Sequence, residues 1–435
     1  MSEVDPRQVD AVLGGQTPPP VAGAILGGLA GAKQRLKSET LAARRLALTE
    51  ALQYGEQGIE LAIQALQDPA EEIHLFAGRL LRTQGGERGK QALFEHQPLS
   101  YFTTLENWRF ETYRSQVGIV DPENNACVVR MTNNGSSVNG QPPSRRYDLS
   151  QFKTLLQDPR VEEVQALVFQ IDYNYWNETH TFGVALDALL AAKATFPNLK
   201  ALFIGDSEGD RAPEFGKSKL RIFDISPILK AFPRLEALHV FGFFGDASGY
   251  TLECEGLRHD ALKSLTIETS DITGANINQL CSMNLPNLEW FELWFGRSHE
   301  YNSKVPVSAL TPILWGDTYP KLKYLGLCSS ENLGTLLPAV LNAPIIERLV
   351  VLDLMMGTLR DNLAEVFEEM PDTANLKILD VTGNQLSDEA VSRLASYAAQ
   401  VVSDYQFGTN DYDYYNEEGE SDPERRMNRH HALYE

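Results

Sequence analysis

The pattern apolar-x-x-apolar-x-apolar recurs eight times between residues 164 and 381. Its instances are Val164/Leu167/Phe169, Leu199/Leu202/Ile204, Leu235/Leu238/Val240, Leu262/Leu265/Ile267, Leu288/Phe291/Leu293, Leu322/Leu325/Leu327, Leu349/Leu352/Leu354 and Leu376/Leu379/Val381. Their first residues lie 35, 36, 27, 26, 34, 27 and 27 positions apart. The shorter intervals fit one supersecondary unit of roughly 20–29 residues, and the longer ones read as units with loop insertions. A unit this small cannot bury its apolar face alone and must stack on its neighbours. Alternate side chains of a strand face opposite sides, so the apolar positions share a core and the residues between them share the other face. Helical spacing fills the intervals, at Val184–Thr195, Ser226–Phe232, Ala275–Met283, Val307–Trp315, Leu333–Asn342, Arg360–Met370 and Asp388–Val401. Strand, turn, helix, turn predicts a parallel sheet with helices on one side.

The best-formed unit, LKILDVTGNQLSDEAVSRLASYA from Leu376, resembles the ribonuclease-inhibitor type of leucine-rich repeat. The resemblance covers roughly residues 164–403. It implies an α/β leucine-rich-repeat solenoid with its parallel sheet on the concave face. It also implies that Asn384 ties loop backbone groups together, while earlier units lack this Asn. Ser387 is placed to cap the following helix.

Five regions follow: a leader over 1–20, a helical segment over 21–95, a connecting hairpin, loop and cap over 96–160, the solenoid over 161–403 and an acidic tail over 404–435. In the helical segment, Ser38–Gly55 and Asp68–Gly85 superpose at an offset of 30, matching Leu46 to Phe76, Ala47 to Ala77 and Gly55 to Gly85. Asp68-Pro69 marks a helix start. This Asp-Pro-x-x-x-apolar-x-x-x-Ala pattern resembles the HEAT repeat of phycobilisome lyases and implies a small all-α HEAT-like segment. Further on, Arg114–Val120 and Ala126–Met131 flank turn chemistry at Asp121–Asn125 and predict a hairpin. A short helix is expected over Asp148–Leu156. Val402–Phe407 is strand-like and would help cap the far end, because each end of a solenoid exposes core.

The net charge of −21 argues against general nucleic-acid or anionic-membrane binding and favours neutral or basic partners. Part of the excess is local, since residues 404–424 hold eight acidic residues and no Lys or Arg. The four cysteines show no metal-ligand spacing and read as reduced, buried thiols of a cytoplasmic, bacterial-type protein. The N-terminus does not read as a signal peptide, and the longest apolar run, Val21–Ala32, is too short to span a bilayer.

The sheet face away from the helices is where a partner would be read. Its outward residues include Phe203, His239, Phe241, Trp290, Trp294 and Tyr324 on adjacent strands, with Glu268, Glu292, Asp353 and Asp380 towards one end. No Lys or Arg appears among the outward positions of the eight strands. A cluster of aromatics left open to water marks an interface, so these ten residues form the candidate partner-binding set. The competing expectation is that the rings are covered from within, by the loops 170–182 and 205–217 or by the N-terminal helices.

No catalytic constellation is legible. Gly85-Gly86-Glu87-Arg88-Gly89-Lys90 lacks the spacing, the following Ser or Thr and the preceding strand of a phosphate loop. Asp206–Asp210 lacks the ligand spacing of a calcium loop. His239 and Glu268 on neighbouring strands could form an acid/base pair or an ordinary surface pair. The sequence therefore predicts a non-catalytic protein-interaction scaffold with no cofactor and no metal. The alternative is a chromophore-lyase or chaperone-like factor for a phycobiliprotein-type client, implied by the HEAT resemblance. The oligomeric state is not legible.

Overall fold

The computed structural model describes residues 28–133, 147–172, 181–206, 220–222, 224–242, 244, 252–269, 272–295, 305–316, 318–371, 375–404 and 406. The expected leader, the loops 173–180 and 207–219 and the tail beyond 406 lie outside them. The chain divides into two compact units, Met1–Phe102 and Thr103–Glu435.

The first unit is helical: α1 (Gly28–Arg35), α2 (Leu41–Ala51), α3 (Glu56–Gln64), α4 (Glu71–Gln84) and α5 (Gly86–His96). Leu48, Leu66, Ile73, Leu81 and Leu93 form its core. The Asp-Pro step lies just before α4 and not inside it: the N-cap is Ala70, and Asp68 Oδ1 accepts the Ala70 N–H at 2.9 Å in the turn that precedes the helix.

The second unit is a parallel sheet with helices on one side. Its strands are β1 (Arg109–Thr112), β2 (Asn125–Asn133), β4 (Ala166–Ile171), β5 (Ala201–Asp206), β6 (Ala237–Gly242), β7 (Ser264–Thr269), β8 (Trp290–Trp294), β9 (Tyr324–Cys328), β10 (Val351–Asp353), β11 (Ile378–Asp380) and β12 (Gln400–Val402). They lie side by side in chain order, and the short β3 (Tyr147–Asp148) pairs antiparallel with β2. All eight strands expected from the repeat are present, parallel and in register, for example Leu167 beside Leu202 and Leu202 beside Leu238.

The repeat helices are α6 (Ser150–Leu155), α7 (Thr181–Ala191), α8 (Ser226–Ala231), α9 (Gly274–Cys281), α10 (Val307–Leu314), α11 (Leu333–Leu341), α12 (Asp361–Ala364) and α13 (Asp388–Leu394). One apolar core runs the length of the unit, joining Phe169, Leu202, Leu238, Leu265, Phe291, Leu325, Leu352 and Leu379 to helix residues such as Leu189, Ile228, Ile277 and Leu337. The architecture is an α/β repeat solenoid.

Asn384 is fully buried. Its Nδ2 donates to the carbonyls of Leu354 and Val381, both at 2.9 Å, and its Oδ1 accepts the Leu359 N–H at 2.9 Å. It joins the turns of two successive units, which is the role expected of it. Ser387 caps α13, its hydroxyl accepting the Ala390 N–H at 3.2 Å. His259 does similar work in an earlier unit. Its Nδ1 accepts from the Leu262 N–H at 3.1 Å, leaving Nε2 to donate to the Phe232 carbonyl at 3.1 Å. Burial holds this ring below the usual histidine range, in keeping with a neutral structural role.

The expected hairpin is a correction. The first strand is Arg109–Thr112, not Arg114–Val120, and it runs parallel to β2. Residues 113–124 form the crossover between the two strands. They fold around buried Asp158, whose Oδ2 accepts the Tyr113 hydroxyl at 3.3 Å and the Ile119 N–H at 3.1 Å. Turn chemistry at 121–125 serves a crossover as well as a hairpin, and the anchor lies more than thirty residues away in sequence.

Candidate interaction surface

The sheet register sets the outward residues in three rows. The first begins Ala126, Ala166, Ala201, Ala237, Ser264 and passes to Trp290 and Tyr324. The second runs Val128, Val168, Phe203, His239, Thr266, Glu292, Gly326, Asp353 and Asp380. The third contains Arg130, Gln170, Gly205, Phe241 and Glu268, with Trp294 beside Cys328 further along.

This face is not bare, which corrects the expectation of rings open to water. Trp290 is 8% exposed, Trp294 5% and Tyr324 1%, and Phe241, Glu268, Asp353 and Asp380 are buried as well. Of the ten candidate residues, Phe203, His239 and Glu292 keep partial exposure. A third source of cover appears over the first strands. The row of four alanines makes a shallow shelf, and Leu105 and Trp108 pack into it against Ala126, Ala166, Ala201 and Ala237. Both are nearly buried, at 4% and 7% exposure. The Thr104/Asn107 capping box fixes the single turn that carries Leu105. Sequence reading missed this segment, although the alanines at one repeat position were its signal.

Over β8 and β9 the rings satisfy one another. Trp290 stacks on Tyr324 with the planes 11° apart. Glu292 lies between the two indoles and accepts from both, from Trp290 Nε1 at 3.1 Å and Trp294 Nε1 at 2.7 Å. Gly326 allows this. A Cβ there would sit 2.8 Å from Glu292 Cγ, so any larger residue would push the clamp aside. Tyr324 in turn donates its hydroxyl to Asp353 Oδ2 at 2.6 Å.

The electrostatics follow from acids held side by side in a dry place. Burial raises Glu292 above the usual carboxylate range, opposed by the bond from Trp294. Burial, then Asp380 and Glu292, raise Asp353 well above it. Burial pushes Asp380 up to about 6, and its Oδ2 makes no hydrogen bond. At the other end of the row His239 Nε2 meets Glu268 Oε2 at 3.3 Å. Burial disfavours the charged ring, but the bond to Glu268 and the charges of Glu268, Glu292 and Glu106 outweigh it, and His239 titrates higher than usual. Half-buried Glu106, from the covering segment, thus joins Phe203, His239 and Glu292 around one acidic opening.

Asp380 carries a pH prediction. A buried carboxyl near 6 against about 3.9 in the unfolded chain contributes stability below pH 4 that is lost as pH rises through 6. Asp380→Asn is therefore expected to raise stability at pH 7.5 by on the order of 1–3 kcal/mol and to leave it unchanged at pH 4. Urea unfolding at the two pH values checks this. A variant less stable at pH 7.5 would show that the ionised carboxylate is well solvated.

All four cysteines are free and buried, and burial pushes the Cys127, Cys254 and Cys281 thiols up to about 12. Among the described residues no three His, Cys, Asp or Glu side chains converge as metal ligands, and no helix is long and apolar enough to cross a membrane.

The sequence matches no protein-family profile and no curated relative. Among solved structures, a Bacteroides fragilis protein from a structural-genomics consortium is similar at 22% identity, with a TM-score of 0.50 over 59% of this chain and 71% of its own. The fold fits a leucine-rich-repeat-like solenoid. A Listeria monocytogenes internalin aligns at 15% identity with a TM-score of 0.21, over 59% of this chain and 77% of its own. That superposition is too loose to bear on what this chain binds.

Proposed function

We propose that this chain is a non-catalytic protein-interaction scaffold that reads a neutral or basic partner on the outward face of its parallel sheet. The observation that carries the reading is the central row Phe203, His239, Thr266, Glu292, which ends in carboxylates and is rimmed by Glu106. The outward positions of β4–β11 offer no Lys or Arg. The nearest outward one is Arg130 on β2, which lies 3.9 Å from Asp172 and bonds Gln170 at 3.3 Å.

In this reading the ten candidate residues divide their work. Trp290, Trp294, Tyr324, Phe241, Glu268, Asp353 and Asp380 shape and charge the face from beneath. Phe203, His239 and Glu292, with Glu106, make the contacts. A partner residue that is apolar beside a Lys or Arg suits this opening, because Phe203 is partly exposed and carboxylates outnumber cations on the outward positions of β4–β11, where His239 is paired with Glu268. The helical unit, read as HEAT-like pairs, would then supply a second repeat surface.

The test is affinity capture with mass spectrometry, comparing wild type with Phe203→Ser/Glu106→Lys. Phe203 packs against the Leu105/Trp108 cluster and Glu106 is half-buried, so Glu106→Lys alone is captured alongside as the variant that leaves this packing intact. The reading predicts a protein that wild type retains and the variant loses. Identical captured sets would remove the partner from this face.

A further inference from the structure

A second surface, distinct from the opening at Phe203 and Glu292, lies at the start of the sheet. There, among the described residues, β1 is an edge strand, hydrogen-bonded to β2 on one side. Arg109 and Tyr113 donate their N–H groups to Asn124 and Val128, each at 2.9 Å, so the odd-numbered residues face β2. Strand alternation turns the N–H and C=O groups of Phe110 and Thr112 to the free edge. Arg109, Phe110 and Thr112 are exposed and Glu111 is half-buried. Phe110 is 52% exposed, and Val117 and Val120 of the adjoining crossover are 64% and 45% exposed. These two valines and Glu111 line a cavity of about 90 Å³ beside the strand. An edge of this kind is a template for another strand, and soluble proteins ordinarily blunt it.

We propose that this edge is a dimer interface, with β1 of one chain pairing antiparallel to β1 of a second copy about a two-fold axis at Phe110. The sequence Arg109-Phe110-Glu111 is self-complementary in that register. Phe110 lies opposite Phe110 of the second copy, and the two residues exchange both main-chain hydrogen bonds. Arg109 lies opposite Glu111 of the second copy, and Glu111 opposite its Arg109. Opposite charges and aromatic pairs directly across a ladder stabilise it, and a two-fold interface requires that each residue meet its complement. Shifting the axis to Glu111 would set two carboxylates face to face, so the charges also select the register. The strand is four residues long, and each chain carries a net charge of −21. Association is therefore weak, on the order of micromolar or weaker, and tightens as salt screens the long-range repulsion.

Sedimentation velocity of the full chain from 5 to 200 µM (about the range set by that affinity) in 150 mM salt tests the proposal. Wild type is expected to show a reversible monomer–dimer equilibrium. Glu111→Arg and Arg109→Glu each place like charges across the axis and are expected to weaken the dimer at least tenfold. The double variant restores both pairs and regains it, which separates a lost contact from a lost fold. A wild type that stays monomeric, a dimer indifferent to Glu111→Arg, or a double variant that stays apart would each overturn the proposal.

Discussion

Replacing Trp290 by alanine is expected to lower unfolding stability by about 3–5 kcal/mol, the range for removing a large buried aromatic side chain. Three losses coincide. The indole is 8% exposed, so its apolar area returns to water or leaves a cavity. Its stack on Tyr324 disappears. Glu292 loses one of the two indole donors that hold its carboxylate, at 3.1 Å, and keeps on that oxygen only the longer bond from the Thr266 hydroxyl at 3.4 Å. Trp315, 56% exposed, is the internal control, and Trp315→Ala is expected to cost under ~0.5 kcal/mol. Urea unfolding of the two variants gives the comparison. Equal, small effects would mean that Trp290 is a surface ring after all.

Asn384→Ala is expected to cost about 3 kcal/mol, for a different reason. The side chain adds little apolar area, but it joins Leu354, Leu359 and Val381 through bonds of 2.9 Å in a site with no exposure. Alanine leaves the Leu354 carbonyl and the Leu359 N–H unpaired in the interior, while the Val381 carbonyl keeps the Gln406 amide at 3.0 Å, at roughly 1–3 kcal/mol for each group that finds no water. Because a solenoid is held together by neighbour-to-neighbour interfaces, the damage should be local. Amide exchange is expected to accelerate across β10, β11 and β12 and to remain slow in β4–β7. Uniform acceleration along the sheet, or none, would contradict the role given to Asn384.

These two residues show what a sequence of this kind exposes. Asn384 was legible because its unit keeps the full repeat, and a residue type fixed by backbone geometry stands out against that frame. The eight strands were legible because the apolar spacing specifies both period and face. The run Ala126–Met131 was legible as a strand, but the strand before it and their parallel pairing were not. Cys127, Val129 and Met131 alternate as a strand should, but no repeat precedes them, and the 113–124 crossover is set by Asp158 rather than by anything local. Trp290 was legible in position and not in state. Alternation assigns a ring to a face but carries no record of what covers it. The neighbouring ring of Tyr324 and the clamp of Glu292 over Gly326 arise from strands 34 residues apart. The segment at Leu105 and Trp108 left one trace, the alanines on four successive strands of the main sheet that leave it room.

Exchange of the indole N–H protons, followed by nuclear magnetic resonance with single Trp→Phe variants for assignment, tests most directly whether the sheet's outward rings are a closed, self-bonded layer. Trp290 and Trp294, both donating to Glu292, are expected to exchange at least a hundredfold more slowly than the exposed Trp315. Indole protons of Trp290 and Trp294 exchanging as fast as that of Trp315 would show a face open to water and would contradict the account.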